Sequence, residues 1–318
     1  MGEWLKPAVL KTVRPVRVSW VRIPPSPPSS ARRTLRSPAR RAHLAACLAA
    51  LLFALPLFAH DFYLMPDPFV VAPGARISVG VFNGDSFPES EVSPVLERLR
   101  DVRLISAAGS VDVDGLRVVG KEIRGETHFA GPSGAVATAR TIPHFISLQP
   151  KQFKSYLAGE GLDAVISWRE KHQEEHVPSR ERYSKYAKAL IAVSSSAGRS
   201  GAGGSAGDNS VHSRPTGMTL EIVPDASPYD LRAGDPLPIR VLYRGKPAAG
   251  LQIQAAWAGA GVARQISIAG RTDANGALTV RLGRPGKWRL HTVLMERCAD
   301  PKAADWESYW ASLTFEMR

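Results

Sequence analysis

The sequence predicts a mainly β protein with two Ig-like or transthyretin-like β-sandwich domains and a helical insertion at about residues 150–190. Three observations support this prediction. Short alternating apolar segments recur along the chain, 27 glycines and 25 prolines punctuate them, and one region changes to helical spacing. A chain of 318 residues has room for about two domains of ~100–200 residues each.

The first predicted domain spans residues 60–193. Its strands are short, and turns such as Asn83-Gly84-Asp85 separate them. Period-two alternation of apolar and polar side chains is typical of strands with one buried face. The predicted strands are residues 69–71, 76–82, 102–105, 111–113, 135–139 and 145–148.

Residues 151–190 are the helical part of this domain. Phe153, Tyr156 and Leu157 have the three-and-four spacing of one helix face. A second helix is predicted to open at Pro178 and to run to Leu190, because proline is favoured in the first turn of a helix.

Residues 194–216 are rich in Ser, Gly and Ala and predict a flexible linker. Strands return in residues 217–318, with a turn at residues 273–276. This spacing predicts a second, Ig-like sandwich. Its predicted strands are residues 219–223, 237–242, 251–255, 278–282, 288–293 and 312–315.

Nine of the twelve net positive charges belong to the first 59 residues of the chain. That leader contains ten of the 41 basic residues and one of the 29 acidic residues, Glu3, so the remainder has a charge of only +3. Nucleic-acid binding therefore loses its main support. Cys298 is the only cysteine after the leader, which excludes an internal disulfide.

The leader has the layout of a cleavable signal peptide. Arg40 and Arg41 precede an apolar run at residues 44–57, which is shorter than the ~20 residues of a transmembrane helix. Cleavage after Ala59 would make His60 the first residue of a periplasmic protein. Residues 1–34 fit neither a signal peptide nor a folded element, and we expect translation to start downstream of them.

His60 is therefore the first candidate for chemistry. An N-terminal histidine offers its α-amino nitrogen and its imidazole to one metal ion, and such nitrogen donors suit Cu(II) or Ni(II). A second histidine could complete the site, and the candidates are His291, His128 and His144. Against this, a histidine can follow a cleavage site by coincidence, and a lone strand histidine is more often packed than a ligand.

A second candidate is the segment from His172 to His176, which matches the H-x-x-E-H zinc-binding motif of one class of zinc peptidase with Glu175 as the glutamate. On a helix, the two histidines would face the same way. The nearby Pro178 and the charged surroundings favour a solvated surface instead.

Several segments along residues 60–318 carry a family resemblance. They are His60-Asp61-Phe62-Tyr63-Leu64, Phe153-Lys154-Ser155-Tyr156-Leu157, residues 180–188, Gly245-Lys246-Pro247, residues 272–276 and residues 306–316. In these segments the chain resembles the NikM-like exported proteins, an uncharacterised envelope family associated with nickel or cobalt uptake. The resemblance implies β-sandwich modules and a metal ligand at His60. The second domain is similar to carboxypeptidase-regulatory-like modules, which have a transthyretin-like fold and are not catalytic.

Three functions are consistent with these observations. The leading one is a non-catalytic periplasmic protein that binds nickel, cobalt or copper and assists metal uptake, with an inner-membrane transporter or another envelope protein as partner. The alternative is a structural or adhesive module that binds a protein or glycan through Trp306, Tyr309 and Trp310, although packing onto the last strand is the favoured interpretation of these aromatics. A zinc hydrolase that uses His172 and His176 ranks last.

Overall fold

The computed structural model describes residues 60–128, 131–194, 209–259 and 262–317. The predicted signal peptide and residues 195–208 of the predicted linker lie outside the described residues. The described chain is mainly β with sandwich-like sheets, which confirms the predicted fold class. Its strands are Phe62–Asp67 (β1), Val70–Val71 (β2), Arg76–Asn83 (β3), Leu99–Ser106 (β4), Gly109–Asp112 (β5), Asp114–Val119 (β6), Glu122–His128 (β7), Ala135–Thr141 (β8), His144–Leu148 (β9), Ser179–Val193 (β10), Leu220–Pro224 (β11), Pro236–Tyr243 (β12), Lys246–Pro247 (β13), Gln252–Gly259 (β14), Val262–Arg271 (β15), Ala277–Arg281 (β16), Gly286–Arg297 (β17) and Trp306–Met317 (β18).

The described strands form three sheets. The first has the order β1-β3-β7-β6. The second has the order β15-β14-β17-β18-β10-β8-β4-β5, and β2 and β9 also pair with β10. The third contains β11, β12 and β13, with β16 paired to β12.

The long strands β10 and β18 form the centre of the second sheet. They run parallel, with Glu181 opposite Trp306 and Ala189 opposite Thr314. The sheet therefore joins strands from both predicted domains. The division at residues 194–216 remains a prediction.

Both faces of β10 are covered, because alternate side chains of a strand point to opposite sides. Ala187, Ala189 and Ile191 belong to a core shared with the first sheet. Tyr186 and Leu190 belong to a core shared with the third sheet. The second sheet is thus the middle layer between two smaller ones.

Two helices lie between β9 and β10. The first, Pro150–Gly159 (α1), begins at a capping box formed by Gln149 and Gln152. The second is Asp163–Lys171 (α2). Their apolar side chains pack on the central strands through a core that includes Trp306 and Trp310.

The predicted second helix through Tyr183, Tyr186, Ala187 and Leu190 is wrong, because residues 179–193 form β10. The helical insertion therefore ends at Lys171 and not near residue 190. A strand that is buried on both faces loses its polar alternation, so its apolar run can be read equally well with a helical period. Pairing with neighbouring strands on both sides decides the conformation.

Strand β1 crosses the middle sheet and is anchored to it by side chains of β18. The Ser312 hydroxyl donates to the Phe62 carbonyl at 2.7 Å, and the Thr314 hydroxyl donates to the Leu64 carbonyl at 2.6 Å. These bonds fix the position at which β1 begins.

None of the helices within the described residues is long and apolar enough to cross a membrane.

Candidate metal centre

The loop that follows β3 brings two carboxylates to His60. Strands β1 and β3 are antiparallel, with Phe62 opposite Asn83. Residues just before β1 therefore lie beside residues just after β3. Asp85 and Glu91 belong to this loop, and both carboxylates face the His60 imidazole.

The loop is closed by its own backbone. The amides of Glu91 and Val92 donate to the Asn83 carbonyl at 3.0 and 3.1 Å, and the Asn83 amide donates to Ser90 Oγ at 2.9 Å. Gly84 allows this closure, because a Cβ there would lie 2.8 Å from the Glu91 nitrogen. The carboxylates at the two ends of the loop are thereby held together.

The donor atoms of His60, Asp85 and Glu91 form a compact group. His60 Nδ1 is 3.3 Å from Asp85 Oδ2 and 3.6 Å from Glu91 Oε2, and all three ligand atoms lie within 4.8 Å of one another. The His60 side chain is 26% exposed, and those of Asp85 and Glu91 are 52% and 36% exposed. One imidazole and two carboxylates that solvent can reach fit a divalent transition-metal ion.

Asp61, the next residue, is buried in a charged network. Its carboxylate forms ion pairs with Arg289 and with His291, whose Nε2 lies 3.4 Å away. Burial alone would raise the pKa of Asp61, but the positive charges of His291, Arg289 and Lys185 lower it below its ordinary value. Asp61 is therefore an ionised anchor directly behind His60.

Lys185 completes the attachment of the strand start. Its ammonium group donates a hydrogen bond to the His60 carbonyl. Burial lowers the pKa of Lys185 to about 8, against the opposing effect of Asp61 and Asp85. The His60 main chain is thus fixed on one side by Lys185 and, through Asp61, by Arg289 on the other.

The structure places the other predicted histidines in different surroundings. His291 is buried, and its Nε2 contacts Asp61 and, at 3.2 Å, Glu160 Oε2. Burial lowers the pKa of His291, but the charges of Asp61 and Glu160 outweigh this effect and raise it. His291 is therefore joined to His60 through Asp61.

His144 and His128 differ in their distance from His60. His144 lines the same cavity as His60 and packs edge-on against Tyr183. His128 pairs with Arg76, which begins β3, whereas Asn83 ends it. At ~3.3 Å per residue, Arg76 and Asn83 are about 23 Å apart along the strand. Among the described residues, the carboxylates of Asp85 and Glu91, and not a second histidine, group with the His60 ring as possible metal ligands.

The H-x-x-E-H segment does not have the geometry of a zinc-peptidase helix. Helix α2 ends at Lys171, and Gln173 has φ +58°, so His172 and His176 are not on one helical face. The His172 ring stacks on Trp168 at 3.8 Å, and the His176 side chain is 90% exposed. The predicted zinc-peptidase pairing therefore has no structural basis.

Trp306, Tyr309 and Trp310 are 2–5% exposed. They pack onto the central sheet and are not exposed to a partner. The prediction that these aromatics form a binding surface is therefore wrong. Cys298 is buried as well, as a free thiol.

Asp85, Glu91, Asp61 and Lys185 are the neighbours of His60 that sequence reasoning missed. The available signal was the pairing of β1 with β3. Once Phe62 is set opposite Asn83, an antiparallel register places His60 beside Asp85. Glu91 gave no such signal, because its approach depends on the closure of the loop.

A family model described as "Domain of unknown function (DUF4198)" matches residues 57–296, which include His60 and both carboxylates. No curated protein matches the chain.

Three solved structures show low similarity to the chain. The D0-D1 domain of intimin is 11% identical at a TM-score of 0.20, covering 81% of this chain and 98% of that one. The Yersinia pseudotuberculosis adhesin InvE is 12% identical at 0.19, covering 80% and 58%. Three N-terminal domains of the bacteriophage RB49 outer capsid protein Hoc are 8% identical at 0.16, covering 80% and 59%. Scores this low support no conclusion about this protein.

Proposed function

This chain belongs to the family of the domain of unknown function DUF4198, and we propose that it is a non-catalytic periplasmic protein that binds a transition-metal ion. The observation that carries the proposal is the group of His60 Nδ1, Asp85 Oδ2 and Glu91 Oε2, whose ligand atoms lie within 4.8 Å of one another. A histidine at the predicted signal-peptide junction and two carboxylates from a closed loop meet at one point.

The donor set limits the choice of metal. Removal of the predicted signal peptide would add the α-amino nitrogen of His60 to the imidazole and the two carboxylates. Two nitrogen and two oxygen donors suit Cu(II) and Ni(II), and Cu(II) binds more tightly than Ni(II) or Co(II) to a given set of such ligands. The resemblance to NikM-like proteins favours nickel or cobalt as the ion that is handled in the cell.

The surroundings support a binding role. Lys185 and the charged network of Asp61 hold the main chain at His60, so the imidazole is presented from a fixed backbone. A rigid support reduces the ordering cost of binding. In this proposal the protein receives or delivers the metal, with an inner-membrane transporter or another envelope protein as its partner.

The test is the metal content and the N-terminal sequence of protein purified from the cells that make it, without a tag or a chelator. We expect the chain to begin at His60 and to carry a near-stoichiometric amount of copper, nickel or cobalt. A chain that begins at His60 and stays metal-free after titration with all three ions would contradict the proposal. That result would favour the alternative, an envelope module that binds a protein or glycan.

A further inference from the structure

A cavity of about 260 Å³ is lined by His60 and by residues of β9 and β10. Most of its wall is apolar. The apolar lining comes from the first residues of β1 and β4, the segment before β4, the turn after β8, and β9: Phe62, Leu99, Val92, Pro94, Val95, Ile142 and Ile146. A concave, mainly apolar site with a few polar groups is the usual form of a small-molecule pocket.

The charged groups of this wall are basic. Arg98 and Lys185 line it together with two histidines and with neutral polar residues such as Tyr183, and none of the fifteen described residues that line it is Asp or Glu. Burial lowers the pKa of His144, and the charges of Arg98 and Lys185 lower it further. Arg98 and Lys185 therefore place two basic groups at this end of the cavity.

Arg98 is the group best placed to receive an anion. Lys185 already interacts with Asp61 and Asp85, which lie outside the cavity lining. Arg98 is hydrogen-bonded to Tyr183, a neutral partner, so its positive charge remains uncompensated by that contact. A guanidinium group binds a carboxylate through two parallel hydrogen bonds, which gives it an advantage over an ammonium group.

We propose that this cavity binds a small amphipathic carboxylate, with the carboxylate at Arg98 and the apolar part against Val95, Leu99 and Ile142. The volume agrees with such a ligand, because a cavity of ~150 Å³ accommodates benzene and the remaining space admits a carboxylate. The site shares the wall at His60 with the proposed metal centre but does not need a metal ion.

The experiment uses benzoate as the probe and benzamide as a neutral molecule of the same shape. Binding to metal-stripped protein is measured by isothermal titration calorimetry and by ligand-observed NMR. We expect benzoate to bind at least ten-fold more tightly than benzamide, because a hydrogen bond to a charged group contributes more than a neutral one. Equal affinities for the two probes would overturn the proposal.

Two pairs of variants locate the site. Arg98→Gln is expected to weaken benzoate binding about ten-fold or more, whereas Arg117→Gln, the same change at an exposed arginine outside the cavity, leaves it unchanged. Val95→Trp in the cavity lining is expected to abolish binding, whereas Val119→Trp, outside the lining, is expected to leave it unchanged. Val95 and Val119 are 44% and 41% exposed, so neither change disturbs the core.

The outcomes separate this proposal from the proposed metal function. Benzoate binding to metal-stripped protein that depends on Arg98 supports the cavity, whatever the metal content. Benzoate binding that occurs only after copper is added assigns the anion to the metal and overturns the cavity proposal. Unchanged affinity in both Arg98→Gln and Val95→Trp would also overturn it.

Discussion

Two histidines of this molecule show how surroundings decide what an imidazole does. The partly exposed His60 side chain lies beside two carboxylates. His212 is fully buried, and its ring nitrogens contact a hydroxyl, Ser227 Oγ at 2.9 Å, and a carbonyl, that of Ile191 at 3.0 Å. Burial lowers the pKa of His212 to about 4, so it stays neutral at pH 7. A buried ring with neutral partners stabilises the fold, whereas an accessible ring with anionic partners can receive a cation.

The largest expected effect concerns the protonation of His212. Unfolded chains protonate histidine below pH ~6.5, and folded His212 resists this until about pH 4, so the contribution of His212 to stability is full above pH 6.5 and falls as the pH is lowered. The loss of this contribution reaches ~3 kcal/mol of unfolding free energy by pH 4. Urea unfolding at pH 7 and pH 4 measures the loss.

His212→Gln should reduce this pH dependence, because Gln keeps hydrogen-bonding groups but does not titrate. The matched control is His176→Gln, since the His176 side chain is 90% exposed. An equal pH dependence in wild type and His212→Gln would refute the role given to His212.

The second prediction compares alanine substitutions at the two histidines. His60→Ala should weaken Cu(II) binding by about 100-fold, since the loss of a ligand costs at least as much as the loss of a group that supports one. It should change the unfolding free energy by less than ~1 kcal/mol, as is usual for partly exposed positions. Calorimetric titration and urea unfolding give the two quantities.

His212→Ala should do the opposite, with ~2–4 kcal/mol lost from stability and Cu(II) affinity preserved. If both variants lost stability to the same extent, the distinction between the two regions would fail.

A smaller effect is expected at the carboxylates. Asp85→Asn and Glu91→Gln should each reduce Cu(II) affinity about ten-fold, because each removes one anionic donor but keeps the shape of the side chain. The controls are Asp112→Asn and Glu126→Gln, which remove the same charge from exposed positions on β5 and β7, outside the loop of Asp85 and Glu91. Equal losses in all four variants would indicate a general charge effect and not a site.

The smallest effect is expected at His128. His128→Ala should change Cu(II) affinity by less than about two-fold, because His128 and His60 are at opposite ends of the first sheet. Calorimetric titration decides this, and a loss as large as that of His60→Ala would contradict the site described above.

The fold class was predictable because short alternating strands leave a local signal. The strand conformation of β10 was not predictable, because its burial depends on two sheets that form from distant segments. At the site, the leader indicated His60, but Asp85 reaches it only through the register of β1 on β3, and Glu91 only through the closure of the loop. The H-x-x-E-H segment shows the reverse case, in which a motif survives in sequence while Gln173 at φ +58° interrupts the helix that it needs.

The most direct test of the metal centre compares two forms of the protein in Cu(II) titrations. One form begins at His60, and the other carries a single alanine before it. The extension removes the α-amino group of His60 but keeps its imidazole, Asp85 and Glu91. We expect the form that begins at His60 to bind one Cu(II) ion at least ten-fold more tightly. Equal affinities, or no binding by either form, would contradict a metal centre built on the His60 terminus.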